Sequence, residues 1–486
     1  MTALGDWIDA EAHLAATIML RAISATQLVM ERPGFGQRVI PRPGSVLASP
    51  VPAHYDPDPD YFFHWFRDAA MVIDALRVAL LARYTDSSAV GRFDDFVQFN
   101  LDLRSIDGQV FLRRSNFRAS VQPDLLQYVR SDAEIAALSG DAILGDVRVN
   151  ADGTLDFTRW SRPQSDGPAL NFLTLLRWSQ QFDTASQEPA LHRAVRELMS
   201  AALAFTLAHA GMPCSDVWEE QSGYHYFTNL LQAEALTRGA EWSEESGQPE
   251  HARACRAAAD AALARLDRFW DQDGRFYRSC APDVSGRPGR ERDMSVILAV
   301  LHADRAGDRH SVLDPRTQAT LATLEEFFET EYAINRQLAP ERGPAMGRYA
   351  GDRYFDGSAW YLATLGTAEF YFRLALALSA GSQMPVTAEN LRFRRRLRAT
   401  GPAADGGKFA HLALVRGDSF LRTVRAFTPA SGELSEQFDR NTGAQTSAKH
   451  LSWSYAAFIT AAARRAQACR SIGAADPVQR PAGTGS

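Results

Sequence analysis

Cysteine is scarce. The four residues, Cys214, Cys255, Cys280 and Cys469, are scattered through 486 positions with no Cys-x-x-Cys pair. That spacing argues against a disulfide framework and against a thiolate metal site. The eleven histidines show neither His-x-x-x-His nor His-Glu-x-x-His spacing, so no metal or other cofactor is expected. No apolar run approaches the roughly 20 residues of a membrane span, and no membrane partner is expected. Asn-x-Ser/Thr sequons are absent. Met1 to Ser24 carries Asp6, Asp9 and Glu11 where a secretory signal wants Lys or Arg and then an apolar core. Together these absences point to the cytoplasm, although a trimmed signal peptide would leave the same sequence on a periplasmic or secreted protein. Basic residues form no stripe, and a net charge of -6 gives no reason to expect nucleic acid. Low complexity is confined to the Pro/Gly/Ala tail, so 1–472 is expected to form one domain and 473–486 a disordered end.

Helical periodicity is what fills the chain. After a first helix over Asp6 to Ser24, the Pro- and Gly-rich stretch Glu31 to Pro59 should be irregular. Arg67 to Tyr84 is strongly periodic, and helical patterns follow near 88–104, 168–183, 189–209, 225–245, 249–270, 293–305, 314–335, 357–380, 408–427 and 452–471. Strand candidates are short: Gln109 to Leu112 and Arg275 to Tyr277. Every second helix is introduced by a loop rich in acids, Arg and aromatics. These loops are Tyr61 to Asp68, Trp160 to Gly167, Asp216 to Tyr226, Arg290 to Asp293, Arg348 to Trp360 and Glu436 to Trp453. Six decorated helix starts alternating with plain ones predict an all-α toroid, an inner ring of six helices wrapped by an outer ring with the site at the inner N-termini. A helical solenoid would need a fixed short period, and these spacings are uneven.

Two of the loops concentrate acid beside aromatic surface. Ser215-Asp216-Val217-Trp218-Glu219-Glu220 sets two carboxylates against a Trp whose face suits a sugar ring, and Ser435-Glu436-Gln437-Phe438-Asp439 is a second cluster. A carboxyl among apolar groups and anions has its pKa raised, as a general acid needs, and Asp216, Glu220 and desolvation by Trp218 push Glu219 that way. Helix N-termini favour carboxylates, which opposes that shift at Glu219 and helps keep Glu436 ionised. The expected chemistry is acid–base cleavage of a glycosidic bond across one cavity.

In five blocks the chain resembles the glucoamylases, glycoside hydrolases of family fifteen. The blocks are Pro59-Asp60-Tyr61-Phe62-Phe63-His64-Trp65-Phe66-Arg67-Asp68; Trp160-Ser161-Arg162-Pro163-Gln164-Ser165-Asp166-Gly167-Pro168-Ala169-Leu170; Asp216-Val217-Trp218-Glu219-Glu220; Gly347-Arg348-Tyr349 with Asp352 and Tyr354; and Ser435-Glu436-Gln437 followed by Leu451-Ser452-Trp453-Ser454-Tyr455-Ala456. The resemblance implies an (α/α)6 barrel of six inner and six outer helices and removal of glucose from non-reducing ends of α-1,4-linked oligosaccharides with inversion; a monomer is expected. Glu219 matches the general acid and Glu436 the general base. Arg67, Asp68 and Arg348 match residues gripping the terminal glucose, and Tyr61 the ring beneath the reacting carbon. Trp160, Glu220, Tyr354 and Trp360 fall where the family shapes the acid and the adjoining subsite, with Gln437 and Trp453 near the base. Trp65, Arg162, Trp218 and Asp352, in the same blocks, complete the substrate-binding candidates.

The departures concern specificity. Ala350-Gly351 stand where fungal members carry Pro-Glu, and Asn171 where they carry Arg, which leaves an α-1,6-glucosidase, a trehalase or a transglucosylase as alternatives. Neither a starch-binding module after the barrel nor a long β-sandwich before Tyr61 is expected. The rival classes are a non-catalytic sugar-binding toroid, which should lack one of the two carboxylates, and a zinc-dependent α-toroid enzyme, which the scattered Cys and His oppose.

Overall fold

A computed structural model describes residues 3–54, 57–182, 189–281, 290–336, 338–398 and 406–473. The tail expected to be disordered lies, from residue 474 onward, outside the described residues. Twelve long helices organise the rest: α1 Leu4–Leu20, α2 Phe66–Ala82, α3 Gly91–Leu103, α4 Asp166–Gln181, α5 Pro189–His209, α6 Tyr226–Glu245, α7 Pro249–Leu266, α8 Ser295–Ala303, α9 Pro315–Glu331, α10 Tyr361–Ser379, α11 Gly406–Phe427 and α12 Ser452–Ser471. The even-numbered helices close a ring, α2 against α4, then α6, α8, α10, α12 and back to α2. The odd-numbered ones wrap it, with α1 on α12, α5 on α4, α7 on α6, α9 on α8 and α11 on α10, while α3 packs on α5. The chain is an all-α (α/α)6 barrel.

Burial separates the two rings as their sequences require. Inner helix α10 is buried from Tyr361 through Phe372 without a break, because neighbours cover it on every side. Outer helix α7 buries Ala252, Cys255, Ala259, Ala262 and Leu266, one stripe at 3–4-residue spacing, and gives its other face to solvent. Its start uses Pro249 at the first turn; α9 uses Pro315 together with Asp314, whose carboxylate accepts the Arg316 N–H at 2.8 Å. Inner and outer helices meet closely where side chains are small. A Cβ on Gly417 of α11 would lie 2.4 Å from the Phe372 ring of α10.

The expected helices form within a few residues of their predicted bounds, and the differences have local causes. The pattern at 357–380 starts later, at Tyr361, because Gly357 (φ 62°) is left-handed and Ala359–Trp360 is extended, paired with Gln437–Phe438. Gln109 to Leu112 is not a strand. It lies inside a short helix, Gly108–Arg114, which Asp107 caps by accepting the Val110 N–H at 2.9 Å, and Phe111 packs on Phe117 at 5.0 Å. Phe276–Tyr277 does pair, antiparallel with Trp270–Asp271.

The inner helices run in parallel, so their two ends differ electrostatically. At the C-terminal ends Asp74, Arg77, Arg177, Asp304, Glu369, Arg373 and Arg464 form a mesh, with Arg373 bonded to Asp304 at 2.6 Å and to Glu369 at 2.8 Å. Cations there offset the converging negative helix ends. At the N-terminal ends three small pairings lock the loops that carry the site. Trp65 pairs with Arg148, Cys214–Ser215 with Ser222–Gly223, and Gln437 with Trp360.

Candidate active site

A cavity of about 360 Å³ opens where the inner N-termini converge. Its wall brings together residues almost four hundred positions apart. Tyr61, Trp65, Arg67 and Asp68 come from the start of α2, and Trp160 from the approach to α4. Trp218, Glu219 and Glu220 come from the loop before α6, Arg348, Tyr354 and Trp360 from the approach to α10, Glu436 from the approach to α12 and Trp453 from its first turn. Among the lining groups, Arg67 Nε, Asp68 Oδ2 and Trp360 Nε1 are buried and make no hydrogen bond to the protein, although Arg67 Nε and Asp68 Oδ2 face each other at 3.5 Å.

Glu219 sits at the tip of a turn. Its N–H donates to the Asp216 carbonyl at 2.9 Å, and its own φ is 65°, a left-handed conformation that a non-glycine residue holds only at a cost. That conformation aims the carboxylate at a set of donors. Trp65 Nε1 and Arg67 Nη2 each reach Oε1 at 2.9 Å and Gln164 Nε2 reaches it at 3.0 Å, while Trp160 Nε1 donates to Oε2. Burial pushes the carboxyl up, but the Arg67 guanidinium and the Trp160 and Gln164 donors outweigh it, holding Glu219 below its ordinary value. Of the two opposing influences on Glu219 the lowering one prevails, and the neighbours that would raise it have partners of their own. Glu220 pairs with Arg348 at 2.8 Å, Asp216 pairs with Arg290, and the Trp218 indole donates to Asp293 at 2.9 Å.

Glu436 is the opposite case. Burial raises its carboxyl to about 7, against the Ser447 hydroxyl that donates to it and the charge of Arg348. Glu436 leads into the short strand Gln437–Phe438 ahead of α12 and is not in the first turn of a helix. The same wall carries a pair of phenols, Tyr61 and Tyr354, with their hydroxyls 2.9 Å apart. Asp68 completes the acid set; burial pushes it up to about 6, with Arg67 opposing.

Three expected site residues do not line the cavity. Asp352 stands behind it and grips Arg348 with both oxygens, at 2.8 and 2.5 Å. Gln437 is fully buried in the small sheet, with neither end of its amide hydrogen-bonded. Arg162 is a correction. Its guanidinium is held by Asp146 and, at 3.2 Å, by Asp156, in a buried mesh with Arg130 and Arg148. That mesh underpins the aromatic floor: the Arg148 guanidinium lies 3.9 Å from the Trp160 ring centre and 4.5 Å from that of Trp65.

Other residues belong here without having been singled out. Gln164 bonds both Glu219 and, at 2.8 Å, Arg67; its place in the Trp160 to Gly167 block was the available signal. Ser447, on Glu436, sits in a polar stretch with no distinguishing spacing, and Phe355 reaches the cavity through its left-handed turn. Among the described residues no group of three or more His, Cys, Asp or Glu could hold a metal ion, and no helix is long and apolar enough to cross a membrane.

This geometry has counterparts. The chain is 27% identical to a glucoamylase of Neurospora crassa over 87% of its own length and 63% of that protein's. It is 26% identical to a probable glucoamylase of Schizosaccharomyces pombe, covering 95% of this chain and 92% of the other. The solved structure of Hormoconis resinae glucoamylase superposes with a TM-score of 0.79 at 25% identity, over 96% of this chain and 74% of that one. The profile of the glycosyl hydrolases family 15 matches residues 136–463. With two thirds of its length inside that match and the (α/α)6 ring around the two carboxyls, the chain belongs to glycosyl hydrolase family 15.

Proposed function

We propose that the protein releases β-D-glucose from the non-reducing ends of α-1,4-linked gluco-oligosaccharides by inverting hydrolysis, with Glu219 as general acid and Glu436 as general base. The observation that carries this reading is the presence of both carboxyls on the wall of one cavity, beside Tyr61, Arg67, Asp68, Arg348 and Trp360. About 360 Å³ is near the low end of small-molecule sites, roughly 300–1,000 Å³, which suits an end unit better than a length of chain. The relatives described above are glucoamylases, which favours the α-1,4 linkage.

Hydrolysis in this sense needs Glu219 protonated and Glu436 ionised, the reverse of the order that the protein groups set by themselves. A bound sugar supplies the reversal. Hydroxyls that take the Arg67 N–H groups withdraw a charge-assisted bond from Glu219, and exclusion of water raises its carboxyl further. A water oriented on Glu436 donates to that carboxyl and favours its ionised form.

The titration order also favours a second reading, in which the two carboxyls exchange roles. α-Glucosyl fluoride separates them, because fluoride departs without a proton. Under the first reading Glu219→Gln loses about 10²–10⁴-fold on maltose yet still hydrolyses the fluoride, whereas Glu436→Gln loses both activities. The mirror-image result would establish the exchange, and near-normal maltose turnover by either variant would end both assignments. Following maltose, isomaltose and trehalose by anomer-resolved NMR tests linkage and stereochemistry together; initial release of α-glucose would contradict inversion.

A further inference from the structure

The segment Arg290 to Asp293, just ahead of α8, lines no part of the cavity, yet it holds the Glu219 turn from two sides. On one side Arg290 binds Asp216 Oδ2 and lies 3.4 Å from Glu220 Oε2. Asp216 Oδ1 in turn accepts the backbone N–H groups of Glu220 at 2.8 Å and Gln221 at 2.6 Å, so Arg290 grips the side chain that shapes the turn. On the other side Asp293 accepts the Trp218 indole N–H with both oxygens, at 2.9 and 3.0 Å. Trp218 immediately precedes Glu219 and meets Trp360 edge-on at 5.3 Å. Arg290 and Asp293 are themselves buried.

The same segment is tied to the loop that carries Arg348. Met294 N–H donates to the Arg348 carbonyl at 2.8 Å, Ala350 N–H donates to the Arg292 carbonyl at 3.3 Å, and the Arg290 guanidinium lies 4.5 Å from the Tyr349 ring centre. Asp293 Oδ1 also accepts the Ser295 N–H at 2.6 Å, so the residue caps α8 while holding Trp218. One short stretch therefore sets the Glu219 turn, the Arg348 loop and the start of an inner helix against one another.

We propose that Arg290 and Asp293 are positioning residues that register the Glu219 carboxyl against the sugar, acting through Asp216 and Trp218 without touching substrate. The proposal rests on Glu219 taking part in the proton transfers. A strained turn held from both sides is the arrangement such registration needs, since a 1 Å misplacement of a reacting group can cost about 10²-fold in rate.

The experiment compares kcat and KM for maltose in Asp293→Ala, Asp293→Asn, Arg290→Lys and Glu219→Gln. Asp293→Ala is expected to lower kcat by about 10–100-fold while KM stays within about threefold, the split of a misplaced catalytic group rather than a lost contact. Asp293→Asn keeps an acceptor for the indole and for Ser295, so it restores kcat to within about threefold of the unsubstituted protein. Arg290→Lys keeps the charge but cannot span two carboxylates as a fork, and lowers kcat as well. In a Trp218→Phe background, Asp293→Ala has little further effect on kcat, because its bond to Trp218 is already gone and only the Ser295 contact remains to be lost. Unchanged kcat in Asp293→Ala and Arg290→Lys beside an inactive Glu219→Gln overturns the positioning proposal alone. Normal turnover by Glu219→Gln overturns the reading beneath it. Should Asp293→Ala fail to fold, Arg290→Lys decides, and wild-type kcat there overturns the proposal.

Discussion

Replacing Glu436 by Gln should stabilise the protein above neutral pH and leave its stability in acid almost unchanged. The carboxyl is 3% exposed and is raised by burial from 4.5 to about 7. A raised carboxyl favours folding fully only below its unfolded value near 4.5, and that contribution is lost as pH rises through 7. A shift of about 2.5 units at 1.36 kcal/mol each makes the ionised residue a liability of about 3 kcal/mol at pH 8. Glutamine never ionises, and its amide oxygen can still accept from Ser447. Urea unfolding of the two proteins at pH 4 and pH 8 measures the difference. The variant should gain about 3 kcal/mol on its parent between those pH values, while losing turnover and keeping sugar binding. An equal stability difference at both pH values would refute the physical picture of Glu436 as a carboxyl desolvated inside the barrel. Glu219 has the opposite sign. Its lowered carboxyl contributes stability above its unfolded value and loses it as pH falls through the folded one, so Glu219→Gln should destabilise at pH 8.

Two further substitutions separate scaffold from site. Arg162→Met should leave KM for maltose unchanged and cost about 1.5–3 kcal/mol in urea unfolding, the worth of a hydrogen bond to a charged group, because its partners are Asp146 and Asp156 rather than sugar. A raised KM with unaltered stability would return Arg162 to the binding surface. Arg373→Met, at the far end of the ring, should cost about 3–5 kcal/mol by leaving buried Glu369 without its cation, again with KM unchanged. A loss below 1 kcal/mol would mean that the mesh of charges at that end does not hold the inner helices together.

How far the site could be read from the chain depended on which interactions were local. The decorated loops were visible because aromatics and acids at helix starts stand out against plain ones, and thirteen of the sixteen expected residues line the cavity. Arg162 misled because it shares a block with Trp160 and Gln164, and its neighbours Asp146 and Asp156 approach from earlier in the chain. Ser447 gave no signal, since it reaches Glu436 through a left-handed backbone turn. The role of Asp293 as a helix cap was legible from its position before α8, but its bond to Trp218 crosses seventy-five residues.

What the sequence determined alone was the number, order and phase of the helices, together with the alternation of inner and outer ones. Periodicity, prolines at helix starts and capping side chains act over a few residues, so they are written in the order of the chain. Only the tertiary structure decided the proton affinities of the two carboxyls. The anions adjacent to Glu219 in sequence are neutralised by distant arginines, and the donors that hold it ionised come from two other helix approaches. Burial at Glu436 is likewise a property of the closed ring. Proton affinity is set by what lies within a few ångströms in space, and in a ring of six parallel helices most of that comes from far along the chain.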